Sequence, residues 1–386
     1  MPAASRRAMW WLVSLATAAV VAVAVGVAVT RIADDGTVRA GGDSGPSSMA
    51  PAPSPSVCPA PTPASGLRAL ATPCGIGVGA ALNDTLFSDQ TYREVAAREF
   101  NRITPESVLK WSTIEPRPGE FNFGPGDAYV AFAEENGQRV HGHTLVWHYV
   151  PQWVTDASRS RDELREVLRR HVQRTVAHWR GRIASWDVVN EPLGDDADLY
   201  DNVWLRTLGP DYIADAFRWA READPDAVLF INDFDIEGIN AKSDRLYHLV
   251  RTLRAQGVPI DGVGFQTHVA KMTLPDTFEA NLRRFADLGV RVAITELDVR
   301  MPLPVTQQRL ERQAAIYARV LRACLRLPAC DAVTMWGFTD AHSWINREFP
   351  GQGAPLPFDD AYRRKPAYWA LHDTLAAAAA DTPRRR

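Results

Sequence analysis

Two short runs each place a glutamate where it could do chemistry. Trp186-Asp-Val-Val-Asn190-Glu191-Pro192 sets a carboxyl just beyond an apolar stretch, with an amide before it and a helix-excluding proline after it. Ala293-Ile-Thr-Glu296-Leu-Asp298 repeats the arrangement further along the chain. Two carboxyl groups facing each other can cleave a glycosidic bond, one protonating the leaving oxygen while the other attacks the sugar or directs water. A separation of about 5–5.5 Å retains the configuration through a covalent intermediate, and a wider gap inverts it. His268 lies two residues past Gln266, and Asp298 two past Glu296. A chain of carboxylate, imidazole and carboxylate is therefore feasible, and it would orient the nucleophile and help to ionise it.

Each of these residues has a plainer reading when taken singly. A lone Glu is a solvated strand end, a lone His a hydrogen-bonded core group, and a lone Trp packing. Their positions argue against that reading for the set. Glu106, His143, Trp147, Asn190, Glu191, Asn232, Gln266, His268, Glu296, Asp298 and Trp336 all end or follow an apolar, β-rich segment. Those segments fall at 76–80, 101–104, 139–145, 184–190, 227–232, 262–266, 291–295 and 332–338. Longer amphipathic stretches separate them, such as 161–179, where Leu164, Leu168, Val172 and Val176 recur near the helical period. Eight βα repeats close into a (β/α)8 TIM barrel of the α/β class, whose chemistry sits at the C-terminal ends of the strands. A doubly wound open sheet is the alternative, but no G-x-G-x-x-G opens a helix here.

The 386 residues carry 43 Lys+Arg against 46 Asp+Glu, a formal charge of -3, so electrostatics favour no nucleic-acid partner. Twelve Trp supply flat apolar faces suited to pyranose rings, although core packing accounts for most of them. Residues 1–33 hold Arg6 and Arg7 followed by an uncharged, mostly apolar run from Ala8 to Thr30. This segment reads as an export signal or a membrane anchor, with everything beyond it outside the cell. Residues 34–65 are rich in Pro, Ser and Gly and read as a linker, 66–378 as the catalytic domain, and 379–386 as a tail. Cys58, Cys74, Cys324 and Cys330 permit three pairings. Local pairing, Cys58 with Cys74 and Cys324 with Cys330, closes the short loops expected in an oxidising compartment. A zinc site is not expected, since no CxxC or paired His spacing accompanies them.

The runs Thr104-Pro-Glu106-Ser-Val-Leu-Lys110-Trp111, His141-Gly-His143-Thr-Leu-Val-Trp147-His148, Asp187-Val-Val-Asn190-Glu191, Gln266-Thr-His268 and Ile294-Thr-Glu296-Leu-Asp298 resemble glycoside hydrolase family 10 in order and spacing. The resemblance covers about 67–375 and implies an endo-β-1,4-xylanase on an eightfold barrel, needing no cofactor. It implies Glu191 as acid/base and Glu296 as nucleophile, with His268 and Asp298 supporting Glu296 and Asn190 bonding the neighbouring sugar hydroxyl. It implies Glu106 and Lys110 on the non-reducing side of the cleft, and His143, Trp147, Gln266, Trp336 and Trp344 around the sugar at the cleavage point. The pairing of Cys324 with Cys330 also resembles a disulfide common in that family.

Three positions depart from the family pattern: Ser107, where Asn is usual; Tyr149-Val150-Pro151, which is shortened; and Phe234-Asp235, where Tyr and Asn are usual. They leave open another β-glycoside, aryl or steroidal, as substrate. A non-catalytic polysaccharide-binding protein is the reading from a different class. The expected partner is a polysaccharide, xylan, and the expected state a monomer.

Overall fold

The structure, a computed structural model, describes residues 65–156 and 158–381. The strands are β1 Gly77–Leu82, β2 Arg102–Pro105, β3 Arg139–Gly142, β4 Ile183–Asn190, β5 Val228–Asp233, β6 Gly262–Phe265, β7 His268–Val269, β8 Arg291–Val299, β9 Met301–Pro302, β10 Cys330–Met335 and β11 Gln352–Gly353. In that order β1 to β6, β8 and β10 pair in parallel, and β10 returns to β1, closing an eight-stranded barrel. Helices fill the connections, giving the (β/α)8 fold, and each stave falls on one of the eight expected segments.

The boundaries differ from expectation where the site intervenes. β3 stops at Gly142, beyond which His143 bonds Asp187 on β4, although Leu145 and Val146 still donate to the carbonyls of Asp187 and Val188, both at 3.0 Å. β8 runs on to Val299 because β7 pairs beside it, with His268 opposite Asp298. The helix Arg161–His178 begins at a capping box of Ser160 and Glu163 and buries Leu164, Leu168, Val172 and Val176, the stripe that its spacing requires.

Large interior side chains depend on bare backbone opposite them. A Cβ on Gly142 would lie 2.2 Å from the Trp186 ring, and one on Gly264 only 2.3 Å from Asn232 Oδ1. Buried Arg102 pairs with Asp331 at 2.6 Å at the N-terminal end of the barrel, where such pairs serve stability and not chemistry.

Cys324 and Cys330 form a disulfide. The expected partner of Cys74, Cys58, lies outside the described residues, as do the apolar segment 1–33 and nearly all of 34–65. Among the described residues, no helix is long and apolar enough to cross a membrane. The last helix, Pro366–Asp381, carries regular structure past the expected start of the tail at 379.

Candidate active site at the C-terminal rim of the barrel

β4 and β5 run in register with Asn190 opposite Asn232, and Glu191 is the first residue beyond the ladder. Its backbone is left-handed, φ +53°, a conformation that costs a non-glycine residue on the order of 1–3 kcal/mol. The turn is held by its N–H, which donates to the Asn232 carbonyl at 2.8 Å. Trp147 Nε1 donates to Glu191 Oε2 at 2.7 Å, and Gln266 Nε2 to Oε1 at 3.0 Å. Both donors are neutral, so they orient the carboxyl without placing a fixed positive charge on it.

Glu296, on β8, has a different environment. Asn232 Nδ2 donates to its Oε1 at 2.8 Å, and His268 Nε2 to its Oε2 at 3.2 Å. The other His268 nitrogen donates to Asp298 Oδ2 at 2.7 Å, an oxygen that also accepts from Trp344 Nε1 at 2.8 Å. Burial pushes the Glu296 carboxyl up, but the His268 hydrogen bond and the pull of His143 and His268 override it and hold it below the ordinary range. Burial pulls His268 down, yet Asp298 and Glu296 together raise it to about 10, so the ring is an imidazolium at neutral pH. One carboxyl is thus oriented by neutral groups and the other is held ionised, a division suited to acid and nucleophile.

Glu106 follows β2 and accepts from Asn83 Nδ2 at 2.9 Å; burial keeps its carboxyl above the ordinary value despite that bond and the charge of Lys110. Lys110 Nζ lies 5.0 Å from the ring centre of Trp147 and 5.9 Å from that of Trp336, within cation–π range of both. His143 meets Trp336 edge-on at 5.1 Å and donates to Asp187 Oδ2 at 2.9 Å. His141 shares that oxygen at 3.0 Å, and the two imidazoles override burial to bring Asp187 down to about 2. The structure therefore brings all twelve expected catalytic and sugar-contacting residues into hydrogen-bond, ion-pair or ring contact with other members of the rim.

Some members of the rim went unassigned in the sequence. Asn232 joins Asn190 Oδ1 to Glu296 Oε1, both at 2.8 Å, and Thr295 Oγ1 fixes its carbonyl at 2.7 Å. Its place at a strand end level with Asn190 was the available signal. Asp187, which anchors His143, and His141, which meets the same oxygen, stand in the family-like runs, but no role was read for either. Around His148, the rings of Tyr149 and Tyr200 lie 4.2 and 4.4 Å away and are 45 % and 37 % exposed. At the Phe234-Asp235 departure, the Phe234 ring packs 3.2 Å from Lys242 Nζ, and Asp235 is exposed with φ +55°.

A parallel eightfold barrel whose C-terminal rim holds one neutrally oriented and one cation-held carboxyl has the parts that a glycoside hydrolase needs. Residues 66–374 match the family described as Glycosyl hydrolase family 10, and the chain belongs to that family. It is 45% identical over 315 residues to endo-1,4-beta-xylanase B of Thermotoga neapolitana, covering 80% of this chain and 91% of the relative. Endo-1,4-beta-xylanase of Agaricus bisporus is 46% identical over 276 residues, 71% of this chain and 83% of the relative. Among solved structures, native xylanase 10B of Thermotoga maritima superposes with a TM-score of 0.80 at 46% identity, covering 82% of this chain and 99% of that one. Xylanase 10B of Thermotoga petrophila RKU-1, solved with xylobiose, gives 0.78 at 45% identity, with coverages of 81% and 98%.

Proposed function

We propose that this chain is a retaining endo-1,4-β-xylanase with Glu296 as nucleophile and Glu191 as general acid/base. The observation that carries the assignment of roles is the contrast between the two carboxyls: the His268 imidazolium keeps Glu296 ionised, while Glu191 accepts from neutral Trp147 and Gln266 and lies 3.7 Å from His148, which burial pulls down to about 4 and so leaves uncharged at neutral pH. Glu296 attacks the anomeric carbon as the bond to the leaving oxygen breaks, and Glu191 gives its proton to that oxygen. The ester that forms removes the negative charge of Glu296. Glu191, now ionised, takes a proton from water, whose oxygen attacks the same carbon and restores Glu296. Asn190 has its carbonyl satisfied by Asn232, which leaves its NH2 to donate to the sugar hydroxyl beside the reacting carbon. Glu106, Lys110, His143, Trp147, Gln266, Trp336 and Trp344 bind the sugars on either side of this point. The apolar run 8–30 and the disulfide are the features that support action outside the cell.

A different β-glycoside is the second reading, favoured by Phe234, which lacks a tyrosine hydroxyl, and by the exposed Tyr149 and Tyr200 rings. Incubation of the domain with linear β-1,4-xylan, cellulose and aryl glycosides, with product analysis, separates the two. Short xylo-oligosaccharides support the xylanase. Intact xylan beside a cleaved aryl glycoside removes the substrate assignment and leaves the carboxyl pair standing.

A further inference from the structure

The segment Gln266-Thr267-His268 contacts both proposed catalytic carboxyls, Gln266 reaching Glu191 at 3.0 Å and His268 reaching Glu296 at 3.2 Å. The residue between them is the least comfortable in the site. Thr267 is fully buried, β-branched and left-handed, with φ +63°. Such a residue is a conformational outlier, strained by on the order of 1–3 kcal/mol unless its surroundings enforce it. β6 ends at Phe265 and β7 begins at His268, so the Thr267 N–H lies in a gap of the ladder. It donates instead to Glu237 Oε1 at 2.8 Å, while Thr267 Oγ1 donates to the Phe265 carbonyl at 3.1 Å.

Glu237 is itself held firmly. It lies on the loop after β5, where the buried Asn281 Nδ2 donates to the carbonyls of Ile236, Glu237 and Gly238 at 2.5, 3.2 and 3.2 Å. The same loop region fixes the start of the segment, since Gln266 N donates to the Asp233 carbonyl at 3.0 Å. Glu237 therefore pins the backbone N–H of the one residue that lies between the acid's partner and the nucleophile's partner. Catalytic alignment is sensitive to displacements of about 1 Å.

We propose that Glu237 is a positioning residue that holds the left-handed turn at Thr267, and through it the aim of Gln266 and His268 at the two carboxyls. It touches neither carboxyl by a direct hydrogen bond and acts through the backbone amide. The inference rests on the roles proposed for Glu191 and Glu296. The requirement is an acceptor oxygen at a fixed reach, not a charge. Glu237→Gln keeps both the reach and the acceptor, whereas Glu237→Asp keeps the charge and falls one carbon short.

The test measures kcat and KM on linear xylan and on an aryl β-xylobioside, with thermal melts to establish folding. Glu237→Gln is expected to stay within about threefold of the parent kcat. Glu237→Asp and Glu237→Ala are expected to lose about tenfold or more in kcat on both substrates with KM within about twofold, as expected when alignment rather than binding is lost. Folded Asp and Ala variants with the parent kcat overturn the proposal, as does an Asp variant more active than the Gln variant. If Glu237→Ala does not fold, the comparison of Gln with Asp decides alone. Glu296→Ala, assayed alongside, keeps the two levels apart: activity surviving there defeats the assignment of roles whatever Glu237 does.

Discussion

Asn232 Nδ2 donates to Glu296 Oε1 at 2.8 Å, reaching from the end of β5 to the carboxyl on β8. Glu296 thus receives a neutral donor on one oxygen and an imidazolium on the other. Replacing the amide with a carboxylate, Asn232→Asp, sets a like charge against the nucleophile and raises its pKa. The acidic limb of the kcat/KM profile should move to higher pH, and kcat should fall by about 100-fold, as for loss of a preorganised donor. An unshifted limb would show that Asn232 does not govern the ionisation of Glu296.

Glu296→Ala should reduce turnover by about 10⁴-fold or more, the scale of losing a nucleophile. His268 keeps Asp298 as its partner at 2.7 Å, so the variant should still fold, as circular dichroism would verify. Near-normal activity in a folded variant excludes Glu296 as the nucleophile.

Glu191→Ala should hurt substrates in proportion to their need for a proton. With linear xylan or an alkyl aglycone the loss should be about 10²–10⁴-fold, the usual worth of general acid catalysis. With a dinitrophenyl glycoside the first step should survive and the second slow, giving a burst of phenol. Equal losses across leaving groups would count against Glu191 as the acid.

His268 links activity to stability. Its folded pKa of about 10 lies above the ordinary 6.5, so its stabilisation is fully present below about pH 6.5 and is lost as the pH rises through about 10. The difference in Tm between the parent and His268→Gln should hold constant up to about pH 6.5 and shrink between there and about pH 10. A difference that grows with pH would contradict a charged imidazole.

The disulfide joins residues six apart, a small loop whose closure is worth about 2 kcal/mol by chain entropy. Replacing Cys324 and Cys330 together by Ser should lower Tm by about 2–4 °C at this size, measured by calorimetry, with kcat unchanged. A much larger drop would mean that the bond does more than constrain the unfolded chain.

The barrel was legible because its staves are short apolar runs punctuated by polar residues at one end, and Glu191 and Glu296 announce themselves as carboxyls just where such runs give out. What stayed hidden are the groups whose work depends on side chains meeting across the barrel. Asp187 and His141 stood in the family-like runs without a role of their own, yet one Asp187 oxygen meets both His141 and His143. Glu237 and Thr267 are 30 residues apart, and the hydrogen bond between them follows from two loops closing on one another. The left-handed turns at Glu191 and Thr267 carry no glycine to mark them.

Gly264 faces Asn232 with no room for a methyl group: a Cβ there would lie 2.3 Å from the amide oxygen. The reach of the nucleophile's neutral partner is therefore set by an atom that is missing. A substitution to alanine, the mildest change available, would press first on Asn232 and so disturb the aim of Glu296 while adding apolar volume to the barrel. A survey that ranks positions by charge or polarity would pass over this one.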